Sequence, residues 1–404
     1  MEVFHIFGAA KKTMLNTIQM IMKMKLFIWS VFLVLGFSMM SGCEEKKEPE
    51  RIIDKKYKDV ILGNRRSAMF HMARSYMPGS SLAVSVKGKL VWSEGFGYAN
   101  QDLEVLASRH TKYRIGGISQ ILTTLATYQM IGEGKLDSMA EVRTYLPDFP
   151  AKEFPIRIKH LVHQTSGIRT PNSVENNQTA YSLIIKKGLE EFMNDSLLFP
   201  PGQYQHQTIY ASNLLGAIIE QVEGDHFHKV IANRILDTLG MDNTVPDNPF
   251  AIIKGRTEFY DRDFIAQTIR ATSRDFRYRL PADGYLSTAE DLVKLGNELI
   301  YGNVLSEEVR KNMFTRPELM PGAVSMTGNG LIFLQTDDGK PFYASRGNVT
   351  GGGAMLIIYP EEELVLAWIA NIDDQLDELP GMKIARDFRE FINGNYDPEK
   401  EKEP

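Results

Sequence analysis

Strand-like segments near both ends of this 404-residue chain limit the folds that it can adopt. Residues 81–86 and 90–92 predict two strands joined by the tight turn Lys87-Gly88-Lys89. Further strands are predicted late in the chain, at residues 330–335, 342–345, 354–359 and 364–369. The segment 159–290 between these two groups is predicted to be mostly helical. The chain is therefore expected to form an α+β domain, with an antiparallel sheet flanked by helices and a helical lobe inserted at about residues 150–285.

Two helices are predicted next to the strands. Ile118, Ile121 and Leu125 recur at helical spacing, which predicts a core helix that ends near Gly132. Residues 382–392 predict a final amphipathic helix with its apolar side chains on one side.

The N-terminal segment has the pattern of a bacterial lipoprotein signal. Two lysines precede an apolar run over residues 26–37, which is shorter than the ~20 apolar residues that a spanning helix needs. Ser41 and Gly42 then precede Cys43, the only cysteine in the chain, as a lipoprotein signal peptidase requires. We predict a signal peptide at residues 1–42 and a lipid on Cys43; the alternative is an uncleaved anchor with an incidental cysteine.

Charged segments flank the predicted domain. Residues 43–52 form a charged tether, and residues 396–404 form a charged tail that is expected to be disordered. The folded domain is therefore predicted over residues 53–395. The formal net charge is −5 and no basic cluster is present, which argues against nucleic acid as a partner. With its lipid, the protein is expected in the bacterial envelope, on the periplasmic side or the outer surface.

Several short motifs occur along the chain in a fixed order. They are Gly95-Phe96-Gly97-Tyr98-Ala99, Arg114-Ile115-Gly116, Glu133-Gly134-Lys135-Leu136-Asp137, His160-Leu161-Val162-His163-Gln164-Thr165-Ser166-Gly167, Pro201-Gly202, Leu215-Gly216, Leu239-Gly240-Met241 and Gly284-Tyr285-Leu286-Ser287. Their order and spacing resemble those of the β-lactamase-related serine hydrolases, a family that includes class C β-lactamases, penicillin-binding proteins, D-alanyl-D-alanine peptidases and esterases. The resemblance covers about residues 80–371 and implies a β-lactamase/transpeptidase-like fold.

The residues that carry the first catalytic motif of that family are replaced in this chain. The family motif is Ser-x-x-Lys at the start of a buried helix, where the lysine helps to remove the proton of the serine hydroxyl. The corresponding positions hold Gly117 and Gln120. Glycine has no oxygen that attacks a carbonyl group, and the neutral amide of glutamine is not a base at neutral pH. The nucleophile and its base are therefore both missing.

The other two family motifs are also altered. The spacing from Pro201-Gly202 to Gly216 places Gln207 where the resemblance implies a proton-relaying tyrosine. The third motif begins with Lys or His and ends with glycine, and its register falls on Ser345, Arg346 and Gly347. The resemblance also implies that the backbone amides of Gly117 and Asn348 form an oxyanion hole, which does not depend on the lost side chains. Tyr210 lies three residues after Gln207 and is a poor substitute for the missing tyrosine.

Other serines are candidate nucleophiles for a rearranged active site. Ser119 lies inside the first motif, but residues two apart on a helix do not share a face, so we expect its hydroxyl to bind backbone groups of the first turn. Ser345 with His206 or His163 is the other serine-histidine pairing that the family register brings to the cleft. We expect these histidines to be ordinary core or loop residues.

Two further groups of residues have the composition of ligand sites. Asp225-His226-Phe227-His228 has a metal-site composition, but we expect the two imidazoles to diverge where a turn enters a helix, and we predict no metal and no cofactor. Arg346 lies beside the cleft strand and is equally consistent with a carboxylate-binding residue, such as one for a peptide terminus, and with a solvated strand residue.

Losses at Gly117, Gln120, Gln207 and Ser345 remove nucleophile, base, proton relay and third-motif donor together. The sequence therefore predicts a catalytically inactive homologue, anchored to the membrane through Cys43, that binds a peptide, a cell-wall fragment or a protein partner in a cleft containing Arg346, Gly347 and Asn348. Two alternatives remain: an active esterase or peptidase with a rearranged site, and a structural scaffold of the envelope.

Overall fold

The computed structural model describes residues 20, 22–24, 49–176, 185–319, 323–373 and 380–398. By its internal contacts the chain divides into two units, residues 1–48 and 49–404. Cys43 lies outside the described residues, as do most of the predicted signal peptide and the end of the predicted tail. Among the described helices, none combines the length and the apolar character needed to cross a bilayer.

A large antiparallel sheet forms the centre of the second unit. Its strands lie in the order β1-β3-β2-β14-β13-β12-β11-β10, with β4 paired to β3. They are β1 (Ile52–Ile53), β2 (Gly79–Val86), β3 (Lys89–Asn100), β4 (Val105–Leu106), β10 (Thr327–Gly328), β11 (Leu331–Gln335), β12 (Pro341–Val349), β13 (Gly352–Tyr359) and β14 (Leu364–Ala370). Strand β14 pairs with β2 from Leu364 opposite Val86 to Ala370 opposite Ser80, so the two ends of the chain meet in the middle of the sheet.

The sheet is covered on both faces, and each face has its own hydrophobic core. Helices α1 (Lys58–Arg74) and α11 (Pro380–Ile392) cover one face, where Trp92, Trp368 and Phe388 are buried together. The other face packs against α2 (Ser119–Gly132), α9 (Ala289–Tyr301) and the helical lobe. Strands β13 and β14 are buried at every position because both of their faces are covered.

The helical lobe is built from short helices around one longer helix, α7. The remaining helices of the lobe and its surroundings are α3 (Val142–Tyr145), α4 (Ile158–Val162), α5 (Ser173–Asn176), α6 (Ile185–Gly188), α7 (Ile209–Glu223), α8 (Phe227–Ile231) and α10 (Glu307–Phe314). Two small sheets lie beside the lobe: β5 (Tyr113–Arg114), β6 (Val245–Pro246) and β9 (Tyr285–Ser287) form one, and β7 (Tyr260–Arg262) with β8 (Thr268–Arg270) forms the other.

The α+β class with an antiparallel sheet is confirmed, and three local expectations need correction. Ile52 and Ile53 pair with β3, so ordered structure begins inside the predicted tether 43–52. The predicted final helix starts at Pro380, and Tyr396 beyond it still packs against Phe391, with ring centroids 6.0 Å apart. The hairpin of β7 and β8 interrupts a segment that was predicted to be mostly helical.

Candidate functional site

The start of helix α2 and strand β12 lie against each other and form what we call the α2–β12 cleft. Gly116–Ile118 form a single 3₁₀ turn that leads into α2. Gly116 has φ +48°, a left-handed conformation that glycine adopts without steric cost. A Cβ atom on Gly116 would lie 2.9 Å from the backbone nitrogen of Asn348. The turn therefore depends on glycine both for its conformation and for its contact with β12.

Gly347 makes the closest backbone approach in the cleft. A Cβ atom on this residue would lie 1.8 Å from the carbonyl oxygen of Ile115 and 3.0 Å from the backbone nitrogen of Gly117. Real Cβ atoms do not approach backbone atoms so closely, so only glycine fits at this point of β12. The structure thus brings Gly347 and Gly117 together, with the amides of Gly117 and Asn348 bordering the same contact.

The backbone around Gly117 also restricts the space for a side chain. A Cβ atom at this position would lie 2.9 Å from the carbonyl oxygen of Arg346, so any side chain requires a small shift of the turn or of β12. Gly117 nevertheless remains partly exposed. The cleft is therefore narrow at the position of the family nucleophile, but it is not sealed from solvent.

A network of neutral amides surrounds Gln120, the position predicted to correspond to the family base. The Nε2 atom of Gln164 donates to Oε1 of Gln120 at 3.4 Å and to the hydroxyl of Ser212 at 3.2 Å. The Oε1 atom of Gln164 accepts the backbone N–H of Thr208 at 2.9 Å. The Nε2 atom of Gln120 then lies 3.8 Å from the position of a Cβ atom on Gly117. The network offers a hydrogen-bond donor to the cleft, but it contains no group that accepts a proton at neutral pH.

Gln164 was not singled out from the sequence, although it lies in one of the family motifs. Its backbone has φ +58°, uncommon for a residue with a side chain, and its side chain is buried. Its place directly after His163 in that motif is the sequence signal that could have identified it. It joins α2 to the start of α7 and so sets the width of the cleft on the side of the lobe.

Gln207 and Tyr210 do not restore the proton relay. Gln207 is exposed and precedes Thr208, whose hydroxyl caps helix α7. The hydroxyl of Tyr210 donates to carboxylate oxygens of Glu175 at 2.9 Å and Glu191 at 3.0 Å. Burial, with the two carboxylates, raises the pKa of Tyr210 far above its usual value. The phenol of Tyr210 is therefore bound within the lobe and stays protonated at neutral pH.

Ser345 points into the protein and is bound to the backbone. Its hydroxyl donates to the carbonyl oxygen of Gly330 at 2.8 Å, and the residue is buried. His206 packs edge-on against Phe199, with ring centroids 6.3 Å apart. Burial lowers the pKa of His163 to about 4, so this imidazole is neutral at pH 7. No hydrogen bond joins Ser345 to either histidine among the described residues, and this pairing is not assembled.

Ser119 is fully buried, and its hydroxyl has no hydrogen-bond partner among the described residues. This corrects the expectation that the hydroxyl binds backbone groups of the first turn. A side chain enclosed by the core does not reach a substrate, so Ser119 does not replace the nucleophile.

His226 and His228 stack instead of diverging. Their rings lie 5.8 Å apart with an interplanar angle of 16°, because His228 lies in the first turn of α8 and His226 immediately before it. This corrects the predicted geometry. No group of three or more potential metal ligands occurs within the residues that the structure describes.

The outer edge of β12 is only partly paired. Strand β11 pairs with residues 341–344, whereas β13 pairs with β12 as far as Val349. Residues 345–349 therefore have a paired strand on one side only, within the described sheet. Along this stretch Ser345, Gly347 and Val349 are buried, whereas Arg346 and Asn348 are exposed. The side chain of Arg346 thus projects from the face opposite Gly347, and it reaches the cleft only around the edge of the strand.

Arg114 fixes the two walls of the cleft relative to each other. It is buried, and its Nε donates to Asp247 at 2.7 Å while a terminal nitrogen donates to the carbonyl oxygen of Thr350 at 2.7 Å. Its guanidinium also lies over the ring of Phe259, 3.8 Å from the centroid. Because Arg114 precedes Gly116 by two residues and Thr350 follows β12, this side chain holds the glycine turn against the strand.

Comparisons with known proteins agree with this geometry. A family model described as Beta-lactamase matches residues 70–387. The human mitochondrial serine beta-lactamase-like protein LACTB is 26% identical over 379 residues, covering 70% of this chain and 69% of that protein. Protein flp of Staphylococcus aureus is 30% identical over 177 residues, covering 43% and 36%. The octameric penicillin-binding protein homologue from Pyrococcus abyssi superposes with a TM-score of 0.72 at 23% identity, covering 84% of this chain and 79% of that one.

Proposed function

The protein belongs to the β-lactamase family of serine hydrolases, and we propose that it is a catalytically inactive member that binds a ligand in the α2–β12 cleft. One observation carries the proposal: at the nucleophile position, Gly117 has no side chain, and a Cβ atom there would lie 2.9 Å from the carbonyl oxygen of Arg346. The reactive atom is absent and the space for a side chain is restricted, so acylation has no starting point at this position.

The cleft keeps features that suit it for binding. Residues 345–349 present a strand edge without a neighbour among the described strands, and an extended peptide adds to such an edge through backbone hydrogen bonds. The Nε2 atom of Gln120 and the amide of Gly117 supply donors beside this edge. The chemistry favours a peptide segment, from a cell-wall fragment or from a protein partner.

Activity-based labelling tests the inactive state. The purified domain is incubated with a fluorophosphonate probe and with fluorescent penicillin, and we expect its intact mass to stay unchanged. A fourfold variant, Gly117→Ser, Gln120→Lys, Gln207→Tyr, Ser345→His, restores the lost side chains and serves as the gain-of-function arm. Any label on it must map to the residue that replaces Gly117. Stoichiometric labelling of the natural sequence at any serine would overturn the proposal.

Thermal stability tests ligand binding. The probe is an N-acetylated peptide that ends in L-lysyl-D-alanyl-D-alanine, and a ligand bound to the folded state alone raises the melting temperature. We expect Gln120→Leu to abolish that rise, because it removes the amide that faces the cleft. Gln221→Leu, at an exposed position of helix α7, is the matched control and should keep it. If neither this peptide nor a digest of cell-wall peptides raises the melting temperature, the scaffold function is favoured instead.

We also propose that Cys43 carries a lipid that holds the domain at the bacterial envelope. The support is the sequence pattern alone, in which a short apolar run and small residues precede the cysteine. Cys43→Ser should release the domain from the membrane fraction. A variant that stays in the membrane and keeps the residues before position 43 would show an uncleaved anchor.

A further inference from the structure

A cavity of about 650 Å³ lies beside the lobe, between the start of α8 and the segment 242–254. Its size is in the range of sites for small organic molecules. Its lining includes none of the four predicted catalytic positions, Gly117, Gln120, Gln207 and Ser345. We call it the Lys112 cavity, after the buried lysine in its wall.

Lys112 is unusual among the buried cations of the described residues. Three basic side chains there are buried: Lys112, Arg114 and Arg279. Arg114 is paired with Asp247 at 2.7 Å, and Arg279 is paired with Asp283. Lys112 is only 9% exposed, yet no carboxylate of the described residues forms an ion pair with it. A buried charge is ordinarily neutralised by a partner, so the exception requires an explanation.

The contacts of the Lys112 ammonium leave capacity for a ligand. Its Nζ donates to Oδ1 of Asn243 at 2.8 Å and to the carbonyl oxygen of Lys254 at 3.1 Å, and both acceptors are neutral. An ammonium group has three donors, so one remains. Burial is the main factor that lowers the pKa of Lys112, and the nearby charge of Lys254 lowers it further, whereas Asp291 opposes them. An anion in the cavity would supply the missing counter-charge.

The remaining lining residues indicate the polarity and charge of the ligand that the cavity would accept. Val245, Pro246, Ile253 and Leu280 provide an apolar wall. Lys254 adds a second cation, while the charge of Arg277, another lining residue, is already neutralised by Asp275 at 2.6 Å.

The stacked imidazoles of His226 and His228 also line the cavity, and Asp242 is its one acidic lining residue. Both histidines and Asp242 are exposed, so they lie on the solvent side of the cavity. The cavity thus combines the buried ammonium of Lys112 with an apolar wall.

We propose that the Lys112 cavity binds a small amphipathic carboxylate, with the carboxylate at Lys112 and the apolar body against Val245, Ile253 and Leu280. This site is separate from the ligand-binding function proposed for the α2–β12 cleft and does not depend on it.

The test uses three probes with the same ten-carbon chain: decanoate, decanol and decyltrimethylammonium. Binding to the folded domain is measured by titration calorimetry below the micellar concentration. Decanoate should bind at least about tenfold more tightly than the other two, because only it carries the complementary charge. Lys112→Met keeps the length of the side chain, removes its charge and should abolish this preference. Lys89→Met, at an exposed position on strand β3, should keep it.

A second pair of variants covers the case in which Lys112→Met does not fold. Ile252 lines the cavity and is fully exposed, so Ile252→Asp introduces a repelling charge without disturbing the core. Ile269→Asp makes the same change at an exposed isoleucine that does not line the cavity. Only Ile252→Asp should weaken decanoate binding, by about fivefold or more. Equal binding of the three probes, or equal loss in both isoleucine variants, would overturn the proposal.

Discussion

The α2–β12 cleft and the Lys112 cavity differ in how their polar groups are satisfied. In the cleft, Ser345 is bound to a backbone carbonyl and Gln120 to Gln164, and the glycine backbones touch. In the cavity, a buried ammonium meets only neutral acceptors. Several polar side chains of the cleft are therefore bound within the protein. The buried charge without an ion-pair partner among the described residues, the Lys112 ammonium, lies in the cavity, away from the predicted catalytic motifs.

The largest expected effect of a glycine substitution is at the closest backbone contact of the cleft. Gly347→Ala places a Cβ atom 1.8 Å from the carbonyl oxygen of Ile115, and the turn cannot yield easily because Arg114 ties it to Thr350. We expect the free energy of unfolding to fall by at least about 3 kcal/mol, measured by urea denaturation.

Gly132→Ala is the matched control for this substitution. Gly132 lies in helix α2, and a Cβ atom there meets nothing within 4 Å. Alanine should therefore stabilise the protein by about 0.5–1 kcal/mol. A Gly347→Ala protein as stable as the natural one would show that the cleft opens freely, and the contrast with the cavity would fail.

Gly117→Ala should have a smaller effect of the same sign. The new Cβ atom lies 2.9 Å from the carbonyl oxygen of Arg346, a contact that a shift of a few tenths of an ångström relieves. We expect a loss of about 1–2 kcal/mol in urea denaturation. If the loss equals that of Gly347→Ala, the glycine turn is held rigidly, and the fourfold restoring variant should then fail to fold.

The sequence predicted the sheet better than the contacts of individual side chains. Period-two strands and glycine turns depend on local patterns, so β2 and the late strands lie within a few residues of their predicted positions. Strand β3 begins as predicted but continues to Asn100, eight residues beyond its predicted end. The partner of Gln120 was not predictable in this way, because Gln164 lies 44 positions away and reaches it only through the packing of α4 on α7.

The cavity was not predicted at all. Lys112 carries no motif, and its burial depends on Asn243 and Lys254, which follow it by more than 130 positions. The stacking of His226 on His228 was missed for a related reason, since the turn before α8 sets the direction of the first ring. Burial of a charge is a property of the assembled fold, which a single sequence does not reveal.

Acid should destabilise the wall of the cleft through two half-buried histidines. Burial lowers the pKa of His160 and of His163 to about 4, from the ordinary value of 6.5. Nδ1 of His160 also accepts the backbone N–H of Arg157 at 3.1 Å, a bond that protonation removes. The unfolded chain binds these protons near pH 6.5 and the folded one only near pH 4, so stability is lost as the pH falls through this window.

We expect a fall of about 1–2 kcal/mol in the free energy of unfolding between pH 7 and pH 4 from this pair, after allowance for the partial exposure of His160. The measurement is urea denaturation at several pH values. His163→Gln should flatten the profile, whereas His110→Gln, at an exposed position, should not. An unchanged profile in His163→Gln would show that folding does not lower the pKa of this histidine.

The smallest expected effect is at the cavity, where removal of a charge should cost little. Lys112→Met eliminates a buried ammonium that forms no ion pair among the described residues, and the lost desolvation penalty offsets the two lost hydrogen bonds. The free energy of unfolding should stay within about 1 kcal/mol of the natural value when no ligand is present. Arg114→Met is the contrasting variant, because it leaves the buried carboxylate of Asp247 without its partner and should cost about 3–5 kcal/mol. Equal losses in the two variants would mean that Lys112 is already satisfied within the protein, and the cavity would then have no need of an anion.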